Sequence, residues 1–110
     1  MADTYKKLYQ GTLTTASGQV YPASGTVPSG TQVIVKSMRI VNYHATTATT
    51  IKLWQGGSAD SNVILPATTV DSQGFAEFEG TLTMGVGDNI VAQAGANSSI
   101  TLTIYGLELT

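Results

Sequence analysis

Apolar and polar residues alternate most clearly over the run "FAEFEGTLTMGV", residues 75–86. The positions of one parity are largely apolar: Ala76, Phe78, Gly80, Leu82, Met84 and Val86. The positions of the other parity are polar: Glu77, Glu79, Thr81 and Thr83. Because successive side chains of a strand point to opposite faces, this pattern predicts a half-buried antiparallel strand whose apolar side faces a core.

Shorter runs with the same period follow one another along the chain, separated by glycine, proline and other turn residues. Glycine, proline and β-branched residues interrupt every window long enough to hold a helix. The predicted strands cover residues 5–15, 19–21, 31–44, 51–55, 62–66, 75–86, 88–95 and 100–110. The residues predicted to point into the core include Phe78, Leu82, Ile90, Ile100, Leu102 and Ile104.

About eight short strands predict an all-β fold, a single antiparallel β-sandwich with a jelly-roll-like arrangement. The domain is expected to span residues 1–110 and to carry a Gly/Ser/Pro-rich loop at about 16–30. An immunoglobulin-like sandwich is the alternative. The even strand number and the lack of a Cys…Trp…Cys pattern favour the jelly roll.

The alternation changes phase at two places. In residues 31–44 the apolar residues fall on both parities, which indicates a strand buried on both faces or a β-bulge near Lys36. In the last run, the inward parity slips at Tyr105–Gly106 and resumes with Leu107 and Leu109. A glycine at such a slip predicts a second bulge.

Composition narrows the classes of function. The chain has 110 residues, no cysteine, 11% charged residues and a net charge of −2. Without cysteine there are no disulfides, thiolate nucleophiles or cysteine zinc sites. The net charge is against general nucleic-acid binding, which needs a basic face. We expect no membrane partner, since no apolar run approaches the ~20 residues of a spanning helix, and "MADTYKKLYQ" lacks the apolar region of a signal peptide.

The Gly-x-Gly-Asp step at residues 85–88 resembles several ligand-binding loops but matches none of them. A dinucleotide fingerprint needs a third glycine where Ile90 stands, and a P-loop needs a lysine, although none follows Lys52. An EF-hand loop needs more oxygen ligands than Asp88 and Asn89 supply. The step is therefore predicted to be a turn, in which glycines accept positive φ and Asp88 bonds the backbone ahead of the next strand.

Catalytic and metal-binding residue sets are not found in the sequence. His44 is the single histidine and is predicted to lie in a loop, with no partners for a triad or a zinc site. Glu77 and Glu79 share one side of a strand, which is typical of a solvated edge and not of a pair in a catalytic cleft. We therefore expect a protein that is not an enzyme and that carries no cofactor.

Aromatic residues are the main candidates for an interaction surface, because tyrosine and tryptophan are enriched at protein interfaces. The interface candidates are Tyr5, Tyr9, Tyr43 and Trp54. Tyr5 and Tyr9 share parity with Lys7, so they are expected on one side of the first strand. Trp54 is expected in the core or at a subunit interface; stacking on a sugar ring is the other interpretation.

An ordered series of segments resembles small virion proteins of tailed bacteriophages, which are compact β-sandwiches. The series runs from "YKKLYQGTLTT" through "VIVKSMRIVN", "GGSADSNVILP" and "GFAEFEGTLTMGVGDNIVAQAG" to "ITLTIYGLEL". The matching features are a strand that ends in Val41–Asn42, a Gly-Asp-x-Ile hairpin at residues 87–90, and a terminal strand that closes in Gly106–Leu107–Glu108. They are structural motifs, and no catalytic residues are carried over with them.

The resemblance implies a non-enzymatic structural protein of the virion, in the form of a capsid decoration (cement) protein that stabilises the major capsid lattice. Its implied partners are the major capsid protein or other virion proteins, with self-association as a dimer or trimer, and its implied place is the virion, assembled in the host bacterial cytoplasm. A neck, tail or head-fibre component is the alternative within the phage interpretation. A carbohydrate-binding β-sandwich, with Trp54 and a tyrosine as its platform, is the alternative outside it.

Overall fold

A computed structural model describes residues 3–109 and shows eight β-strands. The strands are β1 (Asp3–Thr12), β2 (Gly18–Tyr21), β3 (Gln32–Asn42), β4 (Thr49–Gln55), β5 (Val63–Val70), β6 (Phe75–Met84), β7 (Ile90–Ala94) and β8 (Ile100–Leu109). One short 3-10 helix, Asp60–Asn62, precedes β5. The all-β prediction is confirmed, and β2 divides the predicted loop at 16–30.

The strands form two four-stranded sheets. Sheet I has the order β1-β8-β3-β6, and sheet II has the order β2-β7-β4-β5. Neighbouring strands within the described residues run antiparallel. Consecutive strands alternate between the sheets except at the β4–β5 hairpin, which lies within sheet II. This arrangement, with two Greek keys, is that of a jelly roll and not of an immunoglobulin-like sandwich.

The core lies between the two sheets and consists almost entirely of aliphatic side chains. Its largest fully buried members are Met38, Ile40, Ile51, Leu53, Met84, Ile90, Ile100, Leu102 and Ile104. Four of the residues predicted to point inward are among them, and the other two, Phe78 and Leu82, are partly buried and pack against this cluster. The parity prediction is therefore confirmed for these six residues.

Strand ends were predicted less well than strand positions. β1 ends at Thr12 and not at residue 15. β6 ends at Met84, so Val86 lies in the following turn with 69% of its surface exposed, although its parity predicted an inward position. β5 does not end at Pro66 but continues to Val70.

Pro66 is accommodated because β5 is an edge strand with a bulge. Leu65 pairs with Leu53 of β4, and the next pair joins Thr68 to Ile51, so Pro66 and Ala67 fall outside the regular ladder. Proline cannot donate a ladder hydrogen bond, and edges and bulges are the places in a sheet where it is tolerated. The sequence offered no sign of which partner residues would be skipped.

The predicted bulge near Lys36 is present. Val35 and Met38 both face the core, and Lys36 is the extra residue between the pairs that β3 makes with β8. Leu8 is the corresponding extra residue of β1. The second predicted bulge was placed on the wrong strand, because the extra residues belong to the two neighbours of β8 and not to Tyr105–Gly106 itself.

Gly106 keeps the inward parity of β8, so Leu107 and Leu109 do not return to the core as predicted. Leu107 lies on the outer side of sheet I, in register with Tyr5 on one neighbouring strand and Ile34 on the other. A glycine at position 106 allows the close approach of β3, whose backbone occupies the space that a Cβ would need.

Asn42 is a polar side chain buried in full at the end of β3. Its Nδ2 donates to the carbonyl oxygens of Thr47 and Val70, each at 3.0 Å, and its Oδ1 accepts from the backbone N–H of His44 at 3.0 Å. One side chain therefore joins the end of β3 to the β3–β4 connection and to the end of β5.

Candidate interaction surface

The side of sheet I that faces away from the core is the broadest regular surface of the described chain, and we call it the outer face. Its positions, row by row, are Thr12, Thr101, Val41 and Phe75; Gln10, Thr103, Arg39 and Glu77; Lys7, Tyr105, Ser37 and Glu79; Tyr5, Leu107, Ile34 and Thr83. Four strands of about ten residues cover roughly 600 Å². Most of these side chains are neutral, which suits burial against another protein.

Three aromatic side chains of the outer face or its continuation are well exposed. Tyr5 is 61% exposed, Phe75 is 59% exposed and Tyr43, directly after β3, is 48% exposed. Tyr5 lies in the same row as Ile34, while Tyr43 lies at the opposite end of β3, about 30 Å away along the strands. Two of the four interface candidates thus share this surface, at its two ends. Phe75 was missed, although it has the parity of Glu77 and Glu79, which indicates an outward position.

Arg39 organises the end of the outer face near Phe75. Its guanidinium carbon lies 4.6 Å from the centre of the Phe75 ring, and its Nη1 lies 3.3 Å from Oε1 of Glu77. Both charged side chains are well exposed, so the ion pair contributes less than about 1 kcal/mol to stability. The effect of these contacts is to hold an aromatic ring and a charge pair in a fixed arrangement at the surface.

Tyr9 does not share the side of Tyr5 as predicted. The extra residue Leu8 shifts the register of β1, so that Lys7 pairs with Tyr105 and Tyr9 pairs with Ile104. Tyr9 consequently turns inward, where it is partly buried and packs against the core. The parity of an edge strand cannot predict this, because the bulge depends on the strand beside it.

Trp54 lies on sheet II and is 4% exposed. Lys52 places its Nζ 5.0 Å from the centre of the tryptophan ring. A sugar platform needs an open aromatic face, and this ring has none. Stacking on a sugar would therefore require the side chains around Trp54 to move. A place at a subunit interface stays a prediction for this residue.

A cavity of about 390 Å³ opens at the end of the sandwich between β1 and β2. Its wall is mostly apolar, with Tyr9, Tyr21 and Val33 among its residues, and its charged member is Glu108 of β8. The hydroxyl of Tyr21 donates to Oε2 of Glu108 at 2.5 Å, and Lys6 of β1 forms an ion pair with Oε1. This cluster joins both sheets, and the sequence gave no indication of it.

The pKa values of this cluster follow from its contacts. The hydrogen bond from Lys6, and after it the one from Tyr21, holds the pKa of the Glu108 carboxyl below its ordinary value of 4.5. Burial, and after it the bond to Glu108, raises the pKa of Tyr21 above its ordinary value of 10.0. Glu108 is therefore charged and Tyr21 neutral at physiological pH.

Acid should weaken the fold through Glu108. A carboxyl whose pKa is lower in the folded state adds stability above its unfolded pKa of 4.5, and this contribution disappears as the pH falls through the folded pKa. We expect Glu108→Gln to remove that part of the pH dependence, as measured by urea unfolding from neutral pH to well below 4.5. Asp60→Asn, which changes an exposed carboxyl outside both sheets, is the control; equal pH profiles for the two variants would contradict the assignment.

The Gly-x-Gly-Asp step is a turn, as predicted. Asp88 accepts a hydrogen bond from the backbone N–H of Gly85 at 3.0 Å, and its own N–H donates to the carbonyl of Gly85. Gly87 has φ +89°, a backbone conformation that favours glycine, so the turn explains why a glycine stands at this position. Backbone bonds to Val27 attach this turn to the β2–β3 connection.

His44 lies in the β3–β4 connection, also as predicted, where its Nδ1 accepts hydrogen bonds from the N–H groups of Thr46 and Thr47, both at 3.2 Å. Glu77 and Glu79 lie on the exposed face of β6 and not in a cleft. Among the residues that the structure describes, no cluster of histidine and acidic side chains suits a metal ion. Over the same residues, no helix has the length and apolar character needed to cross a membrane.

Comparison with known proteins gives a likeness of fold. No protein-family model matches the chain, and no curated protein matches it either. A chain of the Bacillus endospore appendages, which form disulfide-linked pili, is 16% identical with a TM-score of 0.57, covering 98% of this chain and 88% of that one. A capsid chain of Helicobacter pylori bacteriophage KHP30 is 16% identical with a TM-score of 0.56, covering 100% and 94%.

The coat protein of Tobacco streak virus is a third structure of this kind. It is 8% identical with a TM-score of 0.53, and the alignment covers 96% of this chain and 84% of the coat protein. Viral capsid proteins and a pilus protein therefore share this β-sandwich. At such low identities the likeness concerns the fold and does not identify residues that act in the same way.

Proposed function

We propose that the protein is a capsid decoration protein of a tailed-phage virion, bound to the lattice of the major capsid protein and assembled in the host bacterial cytoplasm. The observation that carries the proposal is the outer face of sheet I, a broad neutral surface with Tyr5 and Tyr43 exposed at its ends. A jelly roll provides the rigid support that such a surface requires. The major capsid protein is proposed as the partner because the sequence resembles small virion proteins of tailed bacteriophages.

The size of the outer face fits a protein that acts in many copies. Its roughly 600 Å² is below the ≈ 800 Å² that one partner contributes to a typical stable interface. A single copy would therefore bind weakly, whereas contacts between copies on a lattice would add avidity. The alternative is a neck, tail or head-fibre protein, which needs only a few copies per particle. The number of copies per particle therefore distinguishes it from a decoration protein.

Binding to capsids tests the outer face directly. Tyr5→Ala and Tyr43→Ala should each weaken binding to heads that lack the protein by about tenfold or more, because exposed tyrosines are frequent anchors of interfaces. The measurement is co-sedimentation with purified heads over a range of protein concentrations.

Val86→Ala is the control, since Val86 is exposed but lies in the β6–β7 turn outside the outer face. It should leave capsid binding unchanged, and all three variants should keep the thermal stability of the parent. Equal binding by the tyrosine variants and the parent would contradict the assignment of this face. No binding by the parent would contradict the decoration role.

A further inference from the structure

Sheet I has two long edge strands with opposite charge. Within residues 3–109, β1 pairs only with β8 and β6 pairs only with β3, so each has one row of backbone groups free of ladder bonds. Among the side chains that the structure describes in these two strands, the exposed charges of β1 are Lys6 and Lys7, and those of β6 are Glu77 and Glu79. Two β1 edges, or two β6 edges, would repel each other.

The strand directions allow the two unlike edges to meet. Each neighbouring pair in sheet I is antiparallel, so β1 runs parallel to β3 and opposite to β6. A second copy moved sideways across the sheet would therefore bring its β1 beside β6 in an antiparallel direction. We infer that the protein associates with copies of itself head to tail, by pairing of the β1 edge of one copy with the β6 edge of the next.

The register of the sheet places opposite charges together at this junction. Lys7 is aligned through Tyr105 and Ser37 with Glu79, so all four lie in one row. A continued row puts Lys7 of the second copy next to Glu79 of the first. Within one molecule the two charges are three strands apart, about 14 Å, so their attraction acts mainly between copies.

Four further rows, uninterrupted among themselves, follow on the other side of Leu8, the extra residue of β1 between Lys7 and Tyr9. The side chains they would bring together are Tyr9 with Phe78, Gln10 with Glu77, Gly11 with Ala76, and Thr12 with Phe75. The same junction would therefore form an aromatic pair between Tyr9 and Phe78 and a hydrogen-bonding pair between Gln10 and Glu77, and it would cover the exposed Phe75 ring. Leu8 would interrupt the ladder between these rows and the charged row, and the bulge of β6 between Glu79 and Leu82 would end the ladder beyond the charged row.

The junction is heterologous, because the two edges are different surfaces. Such contacts produce rings or open chains of copies and not a twofold dimer. The outer face remains accessible in this arrangement, so the inference holds whether or not the protein decorates a capsid.

Charge reversal in the purified protein tests the inference, with mass measured by analytical ultracentrifugation over a wide range of concentrations. The parent should form assemblies larger than two copies that weaken as salt is added. Lys7→Glu and Glu79→Lys should each weaken association by about tenfold or more, because each puts like charges together at the junction. An equimolar mixture of the two variants should restore association, and so should the double reversal within one chain.

Lys52→Glu is the control, since it makes the same change of charge on the central strand β4 of sheet II. It should associate like the parent. Hydrogen exchange should show that association protects backbone amides of β1 and β6 selectively. A parent that stays monomeric at all concentrations would overturn the inference, as would association that neither reversal weakens or that the mixture fails to restore.

Discussion

Gly106→Ala is expected to destabilise the protein by more than about 3 kcal/mol, because the new methyl group would enter space already filled by backbone. A Cβ at this position would lie 3.0 Å from the Cα of Val35 and closer still to the carbonyl oxygen of Ile34. Both atoms belong to β3, the neighbour of β8 in the centre of sheet I. Relief would require the two central strands to separate, with loss of ladder hydrogen bonds.

Gly18→Ala is the matched control, because it also changes a strand glycine but meets nothing within 4 Å. Guanidinium unfolding of the two variants and the parent gives the comparison. We expect Gly18→Ala to stay within about 0.5 kcal/mol of the parent. A loss below about 1 kcal/mol for Gly106→Ala would mean that the spacing of β3 and β8 differs from that described here.

Asn42→Ala is expected to cost about 2–4 kcal/mol in the free energy of unfolding. The substitution removes three hydrogen bonds of a fully buried side chain and leaves the carbonyl of Val70 and the N–H of His44 without these partners. A buried polar group without a partner costs about 1–3 kcal/mol, which is more than the net value of the bond itself. Urea unfolding at neutral pH is the measurement.

Asn97→Ala provides the comparison for Asn42. Asn97 is exposed, and its Oδ1 accepts one bond, from the N–H of Thr15 at 2.9 Å. Water can replace that bond, so the expected loss is below about 1 kcal/mol. Similar losses for the two variants would show that Asn42 does not join β3 and β5 in the way described.

The alternation of apolar and polar residues predicted the sandwich well, because in an antiparallel strand with one buried face the inward residues are apolar and the outward residues are polar. Leu102 and Ile104 could be placed in the core from their parity alone, and Lys36 could be marked as a bulge from the change of parity around it. The predictions that failed were those that depend on the register with a neighbouring strand. Tyr9 turned inward because β1 gains Leu8 relative to β8, a relation between residues almost a hundred positions apart.

The polar cluster at the end of the sandwich could not be predicted for the same reason. Lys6, Tyr21 and Glu108 come from three strands and meet only through the jelly-roll topology. For Trp54 the sequence predicted the strand but not the burial of the side chain, because that burial depends on neighbours that the local sequence does not identify. Alternation along a strand predicts sides of a sheet, whereas contacts between sheets and between edges require the fold.

The most direct test of the decoration role is the number of copies per particle. Under the proposal the chain is encoded by a tailed phage, and quantitative mass spectrometry of purified virions of that phage, with the major capsid protein as internal standard, measures this number. The proposal predicts a copy number comparable with that of the major capsid protein. A few copies per particle would contradict decoration and favour a neck, tail or fibre position, and absence from the particles would contradict a virion role altogether.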